Sequence, residues 1–333
     1  PIVGGLLRRQ IGTVYAVDGV DFDVHSGETF SLVGESGCGK TTLSRTVIKL
    51  TEPTAGTIVF NGRDITKFTR HQMREVRREM QIVFQDPYGA FNPRMTVGAI
   101  IGEALELRGI RSPQARASEV VRLLEMVQLP GTVRTRYPHE FSGGQRQRIG
   151  IARALAVEPR FLVADEPVSA LDVSTQAEVV NLLLELQEQL HLTMLFISHD
   201  LSVVRVLSDR VAVMFSGKIV ELAPTEALFR NPLHPYTQEL LAAVPVPDPE
   251  LAQREARERI EEGVRADLGP SASGCPYAGR CPHTMEICRE QMPPLIDYSA
   301  RLHETEPHWA ACHWVEQQTP GGPAARTEPP APA

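Results

Sequence analysis

The sequence has no hydrophobic run long enough to cross a membrane, few cysteines and no excess of basic charge. No stretch of the 333 residues approaches the roughly 18 consecutive apolar residues that a spanning helix needs. The five cysteines are too few for a disulfide scaffold, so we expect a reducing compartment and interpret a cysteine cluster first as a metal site. A net charge of -7 argues against a general nucleic-acid binder. With no signal segment at the start, these features favour a cytoplasmic globular protein.

Strand-like and helix-like patterns alternate along the first two thirds of the chain. Alternating or continuous apolar runs predict strands, and apolar residues three to four positions apart predict helices. The predicted strands cover 17–24, 29–33, 56–61, 161–164 and 193–197, and the predicted helices cover 99–128, 145–156, 174–189 and 201–207. Strands that alternate with helices in this way indicate a parallel sheet with helices on both faces. We therefore predict an α/β fold with a parallel-sheet core.

The chain changes character near residue 236 and again near residue 316, which predicts three unequal parts. Residues 1–235 are predicted to form the main domain, with a helical subdomain at about 86–153, and residues 236–315 a smaller C-terminal extension. The charged segment 250–264 is predicted to be a connecting helix. Residues 316–333, which are rich in proline and glycine, are predicted to be disordered.

A glycine-rich segment follows the predicted strand 29–33 and fits the pattern G-x-x-x-x-G-K-[ST]. Its glycines allow backbone N–H groups to turn around a phosphate, its lysine can reach the β and γ phosphates, and its threonine hydroxyl can bind Mg²⁺. A glycine turn at a strand end is the alternative interpretation. The predicted nucleotide-binding residues here are Gly34, Glu35, Ser36, Gly37, Cys38, Gly39, Lys40, Thr41 and Thr42. We expect the Cys38 thiol to be open to alkylation.

Two adjacent carboxylates, Asp165 and Glu166, follow the predicted strand 161–164. The end of a parallel strand beside a phosphate loop is where a nucleotide's metal and attacking water lie, so Asp165 can hold Mg²⁺ and Glu166 can activate water. A solvated pair of acids is the alternative. A second anion site is predicted where Ser142 and two glycines begin a helix. Because the chain has one phosphate loop, we expect this second site to serve a nucleotide bound to another subunit.

Together these motifs resemble the ATPase subunit of an ATP-binding cassette (ABC) transporter, which is a phosphate-loop NTPase. The resemblance covers nearly the whole chain, and six elements stand in the family's order. They are the phosphate loop Gly34–Thr41, the Q-loop glutamine Gln85, the signature residues Ser142, Gly143, Gly144 and Gln145, the carboxylates Asp165 and Glu166, the D-loop Ser169–Asp172, and the switch histidine His199. Two further stretches, 85–95 and 231–237, resemble the dipeptide, oligopeptide and nickel importer branch.

The resemblance implies a role for each of these residues. The expected catalytic residues are Glu166, His199 and Gln85, the expected Mg²⁺ ligands are Thr41, Gln85 and Asp165, and the further expected ATP contacts are Gln85, Asp172, Ser142, Gly143, Gly144 and Gln145. Family members usually stack an aromatic ring on adenine. Tyr15 is a candidate for that ring, and the alternatives are a residue upstream of Pro1 and a Tyr15 that is simply exposed or packed.

The resemblance also implies partners and a place in the cell. Two ATPase subunits would face head to tail with ATP between them, and the second subunit could be the same chain or a different one. Two transmembrane permease subunits and an extracytoplasmic substrate-binding protein would complete the importer at the cytoplasmic face of the inner membrane. Peptides are the leading cargo, with nickel or another small solute as the alternative. A soluble ABC ATPase acting on ribosomes or DNA, and an exporter subunit, are the rival classes.

Four of the five cysteines fall after residue 270, at Cys275, Cys281, Cys288 and Cys312. Thiolates at such spacing suit a [4Fe–4S] cluster or a structural Zn²⁺. The spacing resembles the C-terminal extension of peptide-importer ATPases, in which a [4Fe–4S] cluster is found, and this is the leading prediction. The alternatives are Zn²⁺, for which Asp297, His308 and His313 could substitute as ligands, and unligated thiols in a small cap.

Overall fold

The computed structural model describes residues 2–4, 9–12, 15–86, 89–243 and 273–318. The predicted connecting helix at 250–264 lies outside the described residues, as does nearly all of the tail that was predicted to be disordered.

The described strands are β1 (Ile2–Gly4), β2 (Arg9–Gly12), β3 (Thr29–Val33), β4 (Val59–Phe60), β5 (Arg63–Asp64), β6 (Met80–Val83), β7 (Phe161–Asp165), β8 (Thr193–Ser198), β9 (Arg210–Phe215), β10 (Lys218–Pro224), β11 (Ile296–Asp297) and β12 (Trp309–Ala310). The described helices are α1 (Lys40–Val47), α2 (Met73–Glu79), α3 (Val97–Arg108), α4 (Pro113–Met126), α5 (Gly143–Leu155), α6 (Val173–Leu190), α7 (Leu201–Leu207), α8 (Thr225–Arg230), α9 (Pro235–Ala242), α10 (Glu286–Glu290), α11 (Ser299–Leu302) and α12 (His313–Gln318).

Eight of these strands form one sheet in the order β11-β12-β10-β9-β3-β8-β7-β6. Strands β6, β7, β8, β3 and β9 are parallel to one another, whereas β10, β11 and β12 add antiparallel pairs at one side. The predicted α/β fold with a parallel core is therefore confirmed. The parallel arrangement brings the carboxyl ends of β3, β6, β7 and β8 to the same edge of the sheet.

Successive residues of the central strands face opposite sides of the sheet, and both sides are covered. In β8, Met194 and Phe196 belong to a core cluster shared with α3 to α7, while Leu195 and Ile197 belong to a second cluster shared with α1 and α2. Because each strand is buried on both faces, its sequence is a continuous apolar run rather than an alternating one. This explains why β7 and β8 could be predicted from the sequence.

The stretch 86–153, for which a helical subdomain is predicted, contains α3, α4 and α5, and the first two have clear boundary signals. The Thr96 hydroxyl accepts the N–H of Ala99 at the start of α3, and Gly109 ends that helix with a φ of 100°. The Ser112 hydroxyl caps α4, whose first residue is Pro113. Side-chain caps, a proline in the first turn and a left-handed glycine at the end are typical helix boundaries.

The prediction of a strand at 17–24 is wrong. In the structure this stretch carries no strand, although Val17, Val20, Phe22 and Val24 pack partly buried against the second core cluster. The alternation of apolar and polar residues therefore comes from a segment that packs against the core without pairing with a neighbouring strand. The predicted strand at 56–61 is shorter, at β4, and pairs with β5 across Asn61 and Gly62, which have φ values of 50° and 72°.

The C-terminal segment, which is described over residues 273–318, continues the main sheet. Strand β12 pairs with β10 through Glu221 with Ala310 and Leu222 with Trp309, and β11 pairs with β12. The sequence contained no usable strand signal here, because β11 and β12 are two residues long. The domain boundary near residue 235 stays a prediction.

Candidate nucleotide site

The sequence-predicted site residues meet at the carboxyl edge of the parallel strands. The phosphate loop follows β3, Gln85 follows β6, Asp165 ends β7 and is followed by Glu166, and His199 follows β8. These strands are neighbours in the sheet, so segments far apart in the sequence are brought within hydrogen-bond distance of one another.

Two glycines of the phosphate loop lie where no larger residue fits. A Cβ atom at Gly34 would collide with the carbonyl oxygen of Met214, and one at Gly39 would collide with the carbonyl oxygen of Ala16. Both residues have positive φ values, 152° and 112°. The loop therefore needs glycine for close backbone approach and, at Gly39, for its left-handed conformation at the start of α1.

Lys40 lies inside the phosphate loop. Its Nζ atom donates to the carbonyl oxygens of Gly34, at 2.7 Å, and of Glu35, at 3.0 Å, and its side chain is buried. The charge of the lysine is thus held at the centre of a turn whose backbone N–H groups belong to the start of a helix, an arrangement suited to an anion.

Cys38 is not the open thiol that the sequence led us to expect. Its side chain is buried, and burial raises the pKa of the thiol, an effect that the charge of Lys40 opposes. The loop turns this side chain toward Gly34 and Lys40. The expectation of ready alkylation is therefore wrong for the structure described.

Thr41 and Asp165 form a pair suited to a hard cation. The Thr41 hydroxyl donates to Asp165 Oδ1 at 3.3 Å. Asp165 is buried, and burial raises its pKa, which the Thr41 hydrogen bond and the Arg45 charge oppose. A carboxylate in this setting is stabilised by a bound cation, so the two oxygens fit Mg²⁺.

Glu166 is held by two of the predicted catalytic residues. Its Oε2 atom accepts from Gln85 Nε2 at 3.2 Å and lies 3.3 Å from His199 Nδ1. Gln85 also donates to the Ser169 hydroxyl at 3.2 Å. Glu166 has a φ of 47° and its N–H donates to the carbonyl of Ile197, which holds its backbone at the sheet edge. The structure thus brings Gln85, Glu166 and His199 together.

The signature residues begin α5. The Ser142 hydroxyl accepts the N–H of Gln145, and the Gln145 side chain accepts the N–H of Ser142, a reciprocal capping box. A Cβ atom at Gly144 would collide with Thr175, and one at Gly143 would press on Leu171. The glycines therefore allow α5 to pack closely on the D-loop and α6.

Asp172 lies at the start of α6, and Tyr15 lies next to a residue that contacts the phosphate loop. The Asp172 carboxylate caps α6, and hydrogen bonds from Ser174 and Thr175 lower its pKa to about 2. Tyr15 has an exposed side chain, and its neighbour Ala16 packs by its carbonyl against Gly39 of the phosphate loop. The position of Tyr15 is compatible with a nucleotide base beside the loop, and its role stays a prediction.

The four C-terminal cysteines are gathered in one region. Cys275, Cys288 and Cys312 are buried, Cys281 is half-buried, and the Cys275 N–H donates to the Cys288 carbonyl at 2.7 Å. Burial, with a smaller contribution from the neighbouring thiols of Cys312, Cys288 and Cys281, raises the pKa of Cys275 to about 12. In the part of the chain that the structure describes, no group of three or more His, Cys, Asp and Glu side chains is arranged to hold a metal ion. The predicted metal centre is therefore not confirmed.

The alternative zinc ligands have other partners. His308 is buried between Glu221, at 2.8 Å from Nε2, and Glu304, at 3.1 Å from Nδ1. Asp297 accepts the N–H of His308. His313 faces the Gln291 carbonyl at 3.2 Å. These contacts give the three side chains roles in joining the C-terminal segment together.

Two residues that contact the phosphate loop were not predicted from the sequence. The Tyr236 hydroxyl accepts the N–H of Glu35 at 2.8 Å, and Arg280 forms an ion pair with the Glu35 carboxylate at 2.8 Å. Tyr236 lies in the stretch 231–237 that was singled out by resemblance, although no function was attached to the ring. Nothing in the sequence around Arg280 signals its contact with a residue 245 positions away.

A glycine-rich loop around a lysine, a threonine–aspartate pair and a supported glutamate at one sheet edge define a phosphate-loop nucleoside triphosphatase. Comparison with known families is consistent with this class. The pattern described as "ABC transporter" matches residues 17–169, and that described as "Oligopeptide/dipeptide transporter, C-terminal region" matches residues 220–288.

Two curated proteins of Bacillus subtilis are similar over most of their length. The chain is 49% identical over 314 residues to the oligopeptide transport ATP-binding protein AppF, which covers 94% of this chain and 93% of AppF. It is 54% identical over 255 residues to the oligopeptide transport ATP-binding protein OppF, which covers 76% of this chain and 84% of OppF.

Solved structures of ABC cassettes share the fold. The dimeric cassette MJ0796 bound to ADP and Pi aligns with a TM-score of 0.60 and 29% identity over 65% of this chain and 94% of that one. The cbiO1 protein of Clostridium perfringens, part of the ABC transporter complex cbiONQ, aligns with a TM-score of 0.61 and 26% identity over 72% of this chain and 92% of that one.

The chain belongs to the ABC transporter family, in its oligopeptide/dipeptide branch, and is an ATPase. Within the described residues, no helix combines the length and the apolar character required to cross a bilayer.

Proposed function

We propose that this ATPase powers the import of di- or oligopeptides across the cytoplasmic membrane. The observation that carries the proposal is the supported carboxylate: Glu166 lies between Gln85 and His199 in a chain whose C-terminal region matches the oligopeptide/dipeptide transporters. The names of the relatives AppF and OppF support peptides as the cargo. Nickel or another small solute is the alternative cargo, and action on ribosomes or DNA is the more distant alternative.

Each residue at the sheet edge then has a place in ATP hydrolysis. Lys40 and the N–H groups of the phosphate loop bind the β and γ phosphates. Thr41 and Asp165, with Gln85, would hold Mg²⁺, which neutralises charge on the phosphates. Glu166 accepts the proton of the attacking water, and His199, which lies 3.3 Å from the Glu166 carboxylate, contacts the γ phosphate.

The signature residues Ser142–Gln145 serve the nucleotide of a second ATPase subunit. The supporting observation is the start of α5, where the N-cap residue Ser142 and the first helical residue Gly143 are exposed, because the beginning of a helix favours an anion. ATP then lies between the phosphate loop of one subunit and the signature of the other, with Asp172 and Tyr15 beside it. Binding closes the pair and hydrolysis reopens it, a two-state change that two permease subunits use to alternate access.

The same proposal places the chain at the cytoplasmic face of the membrane, as a peripheral subunit. The second ATPase is either the same chain or a different one, and an extracytoplasmic substrate-binding protein delivers the cargo. Affinity capture of the full chain from detergent-solubilised membranes, followed by mass spectrometry, tests this assembly. Two permeases with a peptide-binding protein support the proposal, whereas ribosomal or DNA-repair partners without a membrane protein would contradict it.

The Glu166→Gln variant tests the catalytic assignment. We expect it to bind ATP like the parent chain but to hydrolyse it about 10²–10⁴-fold more slowly, since a positioned general base contributes about that factor. Glu188→Gln, at an exposed position of α6, is the matched control and should hydrolyse normally. Turnover and ATP binding are measured on the same preparations. Near-normal turnover of Glu166→Gln would remove Glu166 from the catalytic role.

We further propose that Cys275, Cys281, Cys288 and Cys312 hold a [4Fe–4S] cluster, with Zn²⁺ as the alternative. The support is the gathering of four cysteines, in which Cys312, Cys288 and Cys281 lie near enough to raise the pKa of Cys275, because a bound metal would stabilise the deprotonated thiolates. Such a cluster would stabilise the C-terminal segment by linking its four cysteines. Anaerobic purification with iron, zinc and acid-labile sulfide analysis is the test. About four iron atoms per chain support the cluster, and protein lacking both metals would exclude either site.

A further inference from the structure

The C-terminal segment reaches the phosphate loop through Arg280. Its guanidinium group donates to both carboxylate oxygens of Glu35, over 2.9 Å from Nη1 and 2.8 Å from Nη2. Nη2 also donates to Glu239 Oε1 on α9 at 2.7 Å. A two-pronged pairing of this kind fixes the direction as well as the distance between the partners, which a lysine could not do.

The backbone of Glu35 is held from the same side. Its N–H donates to the hydroxyl of Tyr236, at 2.8 Å, and the Tyr236 ring is fully buried. That ring packs against Phe215, with centroids 4.6 Å apart, and against Tyr277, with centroids 5.5 Å apart. Both the main chain and the side chain of residue 35 therefore rest on groups outside the phosphate-loop motif.

Arg280 is itself fixed in place. Its N–H donates to the carbonyl of Tyr277 at 3.0 Å, and its guanidinium carbon lies 5.7 Å from the centre of the Tyr277 ring and 5.8 Å from that of Phe215. The Tyr277 hydroxyl donates to Glu239, the second acceptor of Arg280. The guanidinium group is thus presented to Glu35 by a packed aromatic support rather than by a freely moving side chain.

The position of residue 35 matters because its carbonyl oxygen holds the phosphate-loop lysine. Lys40 Nζ donates to Glu35 O at 3.0 Å and to Gly34 O at 2.7 Å. A shift of Glu35 moves one of the two oxygens that place the lysine charge at the centre of the loop. Arg280 therefore influences the position of the lysine charge through Glu35. It lies in the C-terminal segment, far along the chain from the Mg²⁺-binding candidates Thr41 and Asp165.

We propose that Arg280 is a positioning residue for ATP binding, through which the C-terminal segment holds the phosphate loop in its binding shape. The proposal rests on the chain's function as an ATPase. It assigns to the C-terminal segment a part in nucleotide affinity.

The test is ATP–Mg²⁺ binding to the full chain by titration calorimetry, with Arg280→Ala, Glu35→Gln and the double variant. We expect each single change to weaken binding about three- to tenfold, the range of a partly exposed, charge-assisted pair. The double variant should bind no more weakly than the singles, because Arg280 acts through Glu35. Arg280→Lys should fall between Arg280→Ala and the parent chain.

Steady-state hydrolysis provides a second readout. The KM for ATP should rise by the same factor, with kcat within about twofold of the parent chain, because loss of loop positioning removes binding that ground state and transition state share. The matched control is Arg230→Ala, which removes another ion pair to the C-terminal segment, with Glu304, and should leave ATP affinity unchanged.

The outcomes separate the two proposals. A parent chain that does not bind ATP would overturn the ATPase function itself. Normal binding by the parent chain with equal affinity in Arg280→Ala and Arg230→Ala would overturn the role of Arg280 alone, as would additive losses in the double variant. If Arg280→Ala unfolds, as tryptophan fluorescence of the C-terminal segment would report, Glu35→Gln decides the question, since unchanged affinity in that variant also overturns the role.

Discussion

A buried carboxylate in β10, Glu221, joins the C-terminal segment to the rest of the protein, and replacing it should destabilise that segment. The side chain is fully buried and accepts the backbone N–H groups of Leu233 and His234, each at 2.8 Å. It also pairs with His308 at 2.8 Å. Burial opposes charging of His308, but hydrogen bonds and charges from Glu221 and Glu304 prevail and raise its pKa.

The Glu221→Gln variant keeps the shape but changes the chemistry. Its amide has one acceptor oxygen, so one of the two backbone N–H groups faces an NH₂ donor and loses its partner. A lost charge-assisted hydrogen bond costs about 1.5–3 kcal/mol, and breaking a buried ion pair costs about 3–5 kcal/mol in total. We therefore expect the free energy of unfolding of the C-terminal segment to fall by about 3 kcal/mol.

The assay uses tryptophan fluorescence in a urea titration. The chain has two tryptophans, Trp309 and Trp314, and both lie in the C-terminal segment, so their emission reports its unfolding. The matched control is Glu226→Gln, at an exposed position in the first turn of α8, where the expected loss is below about 1 kcal/mol. If the free energy of unfolding of Glu221→Gln fell by less than about 1 kcal/mol, Glu221 would not be the residue that attaches the C-terminal segment.

Three further predictions concern single side chains. Burial lowers the pKa of His234 to about 4, so neutral His234 contributes stability that is present above pH 6.5 and is lost as the pH falls toward 4. In urea titrations at several pH values, the free energy of unfolding of His234→Gln should fall by about 3 kcal/mol less over this range than that of the parent chain. An identical pH profile in the two proteins would contradict the prediction. Cys38 should be alkylated at least about tenfold more slowly in the native chain than in urea, because it is buried with a raised pKa, and equal rates by mass spectrometry would count against the structure described. Gly39→Ala should lower the thermal midpoint more than Gly37→Ala does, since both glycines have positive φ but only a Cβ at Gly39 meets a carbonyl; equal shifts would disprove the close contact.

The sequence by itself determined the residues that carry local chemistry. Gly34–Thr41, Asp165 with Glu166, and Ser142–Gln145 are short segments in which glycine, charge and hydroxyl stand at fixed spacing. Continuous apolar runs also revealed β7 and β8, because central parallel strands are buried on both faces. Strand signals failed where burial and pairing differ, as at 17–24, and where a strand is two residues long, as in β11 and β12.

Only the tertiary structure decided which distant residues contact one another. Arg280 meets Glu35 across 245 positions, and Glu221 meets His308 across 87. In its own segment each of these side chains is an ordinary charged or polar residue, and only the folded chain brings its partner within hydrogen-bond distance. The burial of Cys38 could not be predicted from the sequence either, because a motif gives the spacing of its residues, whereas their exposure depends on which other segments pack against the loop.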